Sequence, residues 1–205
     1  VISEMNGCRY NSNRSIKQLK RQLFVCDNGT VDTKWLGEDE LAAWVRLAAV
    51  VELLPGVLDS QLRHDAELMH FEYFVLAMLS EAPRRTLRMT ALAAQTNATL
   101  PRLSHVVRRL EDRGLVERFP CPEDARATNA HLTAAGWRKV RAAAPGHVDT
   151  VRHNVIDALT HEEVVQLRTI TDAILQRLDP NGTMTDMYHR HDRTDENQSS
   201  PSGSA

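Results

Sequence analysis

A mainly α-helical fold with one short β-ribbon is predicted by three observations. Residues 99–113 repeat apolar side chains at three- and four-residue spacing opposite a cationic face, whereas residues 115–132 change to strand-like alternation. The stretches on either side of this pair return to the helical period. Helices therefore dominate, and the ribbon lies between them.

Residues 1–36 are polar and broken by turn-like runs such as Asn11-Ser12-Asn13 and Asp27-Asn28-Gly29, so they read as a flexible extension. Residues 37–180 form the folded domain. From Glu38 to Leu54 a helix carries Leu41, Trp44, Val45, Ala48 and Val51, and Pro55-Gly56 is expected to interrupt it. Asp59 then caps a second helix whose stripe, Leu62, Ala66, Met69, Phe74, Val75, Met78 and Leu79, runs to Ala82-Pro83.

Next comes a short helix, Thr90 to Gln95, stopped by Thr96-Asn97. Thr99 opens its partner, where Leu103, Val106, Val107 and Leu110 make the buried stripe and Arg102, Ser104, His105, Arg108 and Arg109 occupy the rest of the cylinder. Gly114 ends that helix, because a residue without a Cβ takes the left-handed conformation cheaply. Leu115 to Phe119 is a strand, Pro120 to Asp124 a turn, and Asn129 to Leu132 the return strand. Thr133 caps a long helix reaching Leu159, expected to bend or break at Pro145-Gly146. Thr160-His161-Glu162-Glu163 is a capping box for the last helix, with Val164, Leu167, Ile170, Ile174 and Leu178 along it. Asp179-Pro180-Asn181-Gly182 stops the helix, and 181–205 reads as a disordered tail rich in Ser, Asp, Asn and His.

Helix, turn, helix and ribbon over residues 87–133 make the layout of a winged helix-turn-helix module that reads double-stranded DNA. Residues 84–126 hold nine arginines against Glu111, Asp112, Glu117, Glu123 and Asp124, although the chain's formal net charge is −2. A cationic module on an acidic body favours an oriented approach to phosphates. A solvated arginine face is the bland alternative for the helix alone. Cations on the ribbon as well, at Arg126 beside Asp124, add a second element aimed at one duplex.

Asp124-Ala125-Arg126, followed five residues later by Leu132-Thr133, resembles the wing signature of the MarR (multiple antibiotic resistance regulator) transcription factors. Arg109-Leu110-Glu111-Asp112-Arg113-Gly114-Leu115-Val116 is similar to the end of that family's recognition helix. The resemblance covers Leu53 through Leu178. It implies that Arg126 enters the minor groove while Asp124 braces the wing, and that the end helices intertwine in a homodimer. The DNA-contacting set is then Thr99, Arg102, Ser104, His105, Arg108, Arg109, Asp124 and Arg126. Pro101 departs from the polar residue common there, but a first-turn N–H has no partner inside the helix, so proline fits. The resemblance also implies a small aromatic effector between the dimer helices and the winged module, for which Trp44, His64, His70 and Tyr73 are the candidates.

Other chemistry has little support. No GxSxG, P-loop, HExxH or paired Cys/His pattern occurs, so no enzyme, cofactor or metal site is expected. Cys8, Cys26 and Cys121 are too few and too scattered for a disulfide framework. Cys121 beside the wing is a weak candidate for an oxidant-sensitive thiol. No run is expected to span a bilayer, so a cytoplasmic chain is expected. The resemblance implies a ligand-responsive repressor of a pseudo-palindromic operator. The alternative is an effector-free architectural or protein-interaction module.

Overall fold

The structure, a computed structural model, describes residues 34–122 and 124–190. The described residues divide into two units between Trp44 and Val45. In the first, Glu38, Asp39 and Glu40 open helix α1 (Glu38–Ala66), placing carboxylates at the positive end of the helix dipole. The Gly37 N–H donates to Glu40 Oε2 at 2.6 Å.

Helix α1 runs unbroken for 29 residues through Pro55 and Gly56, which corrects the expected interruption. The carbonyl that Pro55 leaves without its helical partner belongs to the exposed Val51, and beyond the proline Leu58, Leu62 and Ala66 anchor the helix in the core. The real break comes later. Glu67 adopts φ +50°, and the buried Leu68 donates its N–H back to the Leu62 carbonyl at 3.1 Å. The expected single helix from Asp59 to Ala82 is thereby split, leaving Met69 39% exposed instead of in the stripe. Asp59 does cap a helix, though not its own: its Oδ1 accepts from the His70 N–H at 2.9 Å, at the start of α2 (His70–Glu81).

A single 3-10 turn (Pro83–Arg85) leads into β1 (Thr86–Arg88), α3 (Met89–Gln95) and α4 (Leu100–Asp112). Strands β2 (Val116–Cys121) and β3 (Asp124–Leu132) follow, and then α5 (Ala134–Asn154), a 3-10 turn (Ile156–Ala158), α6 (His161–Leu178) and α7 (Thr185–Tyr188). The sheet is antiparallel in the order β1-β3-β2, with Thr86 opposite His131 and Val116 opposite Leu132. The ribbon is longer than expected, since Pro120 and Cys121 continue β2 with a register shift between them. Proline is tolerated because β2 is an edge strand. β1 was not anticipated: three residues are too few to show alternation.

Leu62, Leu76, Leu79, Leu92, Leu103, Leu110 and Leu132 are fully buried in one core formed by the end of α1, α2, α3, α4, the sheet and the first half of α5. Helix α5 also continues past its internal proline, contrary to the expected break, because Pro145 is exposed and Gly146 faces α1. A Cβ on Gly146 would stand 3.1 Å from both Asp65 Oδ2 and Gln61 Nε2, so glycine permits this close approach. The segment 181–190, expected to be disordered, is folded. Asp179 accepts from the Thr183 and Met184 N–H groups at 2.7 Å each, Met187 packs on the core, and Arg190 pairs with Glu81. The expected extension and the rest of the tail lie outside the described residues.

Two faces are left uncovered. Val45, Leu47, Val50, Val51, Leu53 and Val57 of α1 are exposed, and α6 buries no residue although Val165, Leu167, Ile170 and Leu178 are apolar. Helix α1 also corrects the expectation about membranes, since an 18-residue window in it has a mean hydropathy of 1.8. Arg46 and Glu52 interrupt its apolar surface.

The tightest backbone approach joins wing and body. Thr133 caps α5 by accepting from the Gly136 N–H at 3.0 Å, and its hydroxyl lies 2.8 Å from the Gly114 carbonyl. A Cβ at Gly136 would stand 2.1 Å from the Leu115 carbonyl oxygen. Gly136→Ala should therefore destabilise the fold by about 1–3 kcal/mol through overpacking, although alanine is the better helix former. Chemical denaturation of the purified variant checks this; parental stability would contradict the contact.

Candidate nucleic-acid interface

Three local devices set the angle between α3 and α4. The buried Thr96 hydroxyl donates to the Leu92 carbonyl at 2.7 Å, Asn97 takes φ +47°, and the Ala98 N–H returns to the Ala93 carbonyl at 2.9 Å. Asparagine tolerates this left-handed conformation better than most residues. Thr99 then caps α4, its Oγ1 accepting from the Arg102 N–H at 3.4 Å, with Leu100 and Pro101 in the first turn. Leu103, Val106, Val107 and Leu110 are buried, as their spacing predicts, and Gly114 at φ +67° follows the helix end.

Of the remaining α4 residues, Arg102, His105 and Arg108 are exposed and Ser104 is half-buried. The Arg102 guanidinium sits over the Phe71 ring, 4.3 Å from its centroid. On the wing, Asp124 Oδ1 accepts from the Arg126 N–H at 3.1 Å, and the Arg126 side chain is exposed. Two elements thus carry accessible cations.

Arg109 is placed otherwise. Its Nε donates to Glu72 Oε1 at 3.2 Å and its Nη2 makes a second, shorter contact to the same oxygen, while Glu72 is only 3% exposed. Arg109 therefore braces α4 against α2, with its side chain 36% exposed. Arg113 joins the brace at 3.6 Å from Glu72 Oε2 and donates to the Glu67 carbonyl at 3.0 Å. The Met69 N–H completes it, donating to Glu72 Oε2 at 2.8 Å. Arg118 is also committed, donating through Nε to Glu111 Oε2 at 2.9 Å and holding that carboxyl below its usual range. No spacing rule pointed to Glu72 as an ion-pair partner, because Arg109 and Arg113 lie 37 and 41 residues along the chain.

The four effector candidates do not form one group. Trp44 is exposed and belongs to the first unit, and His64 is exposed with its Nδ1 2.7 Å from Asp65 Oδ1. His70 and Tyr73 are brought together by His147 of α5, whose ring lies 6.3 Å from His70 and 4.7 Å from Tyr73. His147 was missed because it follows Pro145-Gly146, where a break was expected. Burial lowers the His70 pKa, with Asp59 opposing, and burial followed by the charge of His70 lowers that of His147. Burial raises Tyr73, and Glu81 adds to the effect. A cleft of about 500 Å³ lies elsewhere, between Arg63, Met69, Glu72 and Arg113. Cys121 is buried, and Cys8 and Cys26 lie outside the described residues.

Comparison with known proteins agrees with this fold. The family model described as "MarR family" matches residues 69–128. Sco3205, a MarR family transcriptional regulator from Streptomyces coelicolor solved in complex with DNA, is 44% identical. That match covers 70% of this chain and 94% of Sco3205, with a TM-score of 0.68. AbsC, a MarR family transcriptional regulator from the same organism, is 35% identical over 72% of this chain and 99% of AbsC, with a TM-score of 0.69. An uncharacterized HTH-type transcriptional regulator of Bacillus subtilis, YdcH, is 35% identical over 83 residues, and the match spans only 55% of that protein.

Partial burial of His70 and His147 should make stability depend on pH. The unfolded chain takes up protons near the ordinary value of 6.5, whereas both folded imidazoles resist them, so stability falls as pH drops through that value. Thermal melts from about pH 8 to about pH 5.5 should show a declining Tm that flattens in the double variant His70→Asn/His147→Asn. An unchanged slope in that variant would assign the acid sensitivity elsewhere.

Proposed function

The chain belongs to the MarR family of transcriptional regulators, and from that premise we propose that it represses transcription by binding a pseudo-palindromic operator as a homodimer. One observation carries this reading: α6 buries nothing in the protomer and α1 exposes a run of valines and leucines, while the polar face of the single reading helix is also open. A second copy would cover the apolar faces. The same symmetry would set two reading helices about one duplex turn apart, where a lone helix has little specificity.

In this reading the major groove receives α4 through Arg102, Ser104, His105 and Arg108, with Thr99 fixing its first turn. Arginine suits this position because its planar fork matches guanine edges and phosphates. Asp124 braces the wing so that Arg126 reaches the minor groove, where narrow stretches concentrate negative potential. The protein acts in the cytoplasm, where its duplex target lies. An effector response, supported by the half-buried His70 and His147 beside the buried Tyr73, requires a small aromatic molecule that binds two protomer arrangements unequally.

The dimer is tested at α6. Ile170→Arg should yield folded monomers by sedimentation and weaken operator binding by about 100-fold or more, since both half-sites can no longer be held together. A monomeric parent complex on an asymmetric selected site would overturn the proposal in favour of a module without two-fold recognition.

The wing is tested separately. Arg126→Ala should weaken binding to every duplex similarly and reduce the salt dependence by about one unit of slope per protomer. Unchanged affinity in a folded dimer would remove Arg126 from the interface.

A further inference from the structure

Helix α4 begins with an electrostatic mismatch. Its first turn carries no acidic residue, and Arg102 places a cation where the helix dipole is positive. Nothing in the hydrogen-bonding pattern of the described residues engages its guanidinium. What holds it is the Phe71 ring, 4.3 Å from Cζ to centroid.

That ring is itself well fixed. Phe71 is the second residue of α2, partly buried against the core, and the backbone around it is tied down from two directions. Asp59 of α1 receives the His70 N–H, and Glu72 receives the Met69 N–H while bonding Arg109 of α4. The platform beneath Arg102 is thus clamped to the same helix that carries Arg102. A cation–π contact uses the ring's negative face and leaves the N–H donors, which lie in the guanidinium plane, free for other acceptors.

Resting on the reading of α4 as the DNA-contacting helix, we propose that Phe71 is a positioning residue for sequence specificity. Its ring holds Arg102 at the base-facing end of α4 with the donor fork open, so that the arginine meets a guanine O6 and N7 edge in one prepared orientation. Phe71 touches no DNA in this arrangement. Its contribution is to remove rotamer freedom that Arg102 would otherwise lose on binding.

The experiment measures affinity for an operator selected from random duplex and for its single-base-pair variants, at two salt concentrations. The proteins are the parent, Arg102→Ala, Phe71→Leu, Phe71→Tyr, and the parent with pentafluorophenylalanine at position 71, which keeps the ring's size and reverses its electrostatic face. Phe71→Leu and the fluorinated protein should lose about three- to fivefold of the discrimination at one base pair of each half-site, as expected for a contact of this kind. Other positions should be unaffected, and Phe71→Tyr should retain parental preference. In the Arg102→Ala background, Phe71→Leu should have no further effect on discrimination. A uniform loss across all duplexes, or an undiminished effect without Arg102, would show a merely structural role and overturn the proposal. Should Arg102→Ala alter one base preference while the fluorinated protein does not, the ring's role fails and the reading of α4 stands. Should Arg102→Ala leave every preference intact, the reading of Arg102 as a base contact fails with it.

Discussion

Glu72 is the constraint on which the arrangement of the reading module depends. A carboxylate 3% exposed is costly unless its oxygens are filled, and here they accept from the Met69 N–H and from Arg109, with Arg113 close by. Such a buried pair need not add net stability over an apolar substitute, but removing one partner costs about 3–5 kcal/mol because the other charge is stranded. Its value lies in geometry. Three chain segments meet at this carboxylate: the end of α1 through the Glu67 carbonyl bound by Arg113, the start of α2, and the last turns of α4. The C-terminal half of α4 is held there, and its N-terminal half, with Arg102 and His105, is left to project.

The clamp also explains why counting charges overstates the interface. Nine arginines stand between residues 84 and 126, yet Arg109, Arg113 and Arg118 are committed to Glu72, the Glu67 carbonyl and Glu111. Arg85 lies over Trp137, 4.2 Å from the ring centroid. Arg84 and Arg88, before the reading helix, and Arg102, Arg108 and Arg126 are the exposed remainder. Composition records how many cations a module has, whereas the fold decides which of them can meet a phosphate or a base.

What was legible in the sequence was local. The α4 stripe, the Thr99 and Thr133 caps, Gly114 and the Thr160–Glu163 capping box are each specified by residues within a turn or two of one another, and each is found where the spacing put it. The errors came where a remote contact decides the outcome. Pro55 and Pro145 look like breaks, but each proline is exposed and its helix is anchored in the core on one side of it, by Leu58, Leu62 and Ala66 after Pro55 and by Gly136, Val140 and Ala143 before Pro145. The true break at Glu67 rests on a left-handed residue that no composition rule flags. Arg109 looked like a surface cation because Glu72 is 37 residues away. His147 was missed as a partner of Tyr73 because a break was expected at Pro145-Gly146. The folded segment after α6 depends on Asp179 capping the backbone of Thr183 and Met184, a turn that proline and glycine alone do not reveal.

These facts divide the molecule by what each part needs to be stable. The reading module has its own core, with Leu76, Leu79, Leu92, Leu103 and Leu110 fully buried, and its own clamp. Helix α6 has no such support within the protomer, and neither does the exposed apolar surface of α1. In the proposed dimer, therefore, the spacing of the two modules is set by surfaces that are not part of the core that shapes α4. The joint between these parts is the packing of α5 on α1 and α2, where Gly146 allows close approach and His70, Tyr73 and His147 meet. In the proposed effector response, a ligand bound at that joint would have to shift only the relative population of two dimer geometries, and a difference of a few kcal/mol would be enough to change operator occupancy by orders of magnitude. The clamp at Glu72 would keep α4 rigid during such a shift, so that motion at the joint changes where the reading helix is presented without changing its shape.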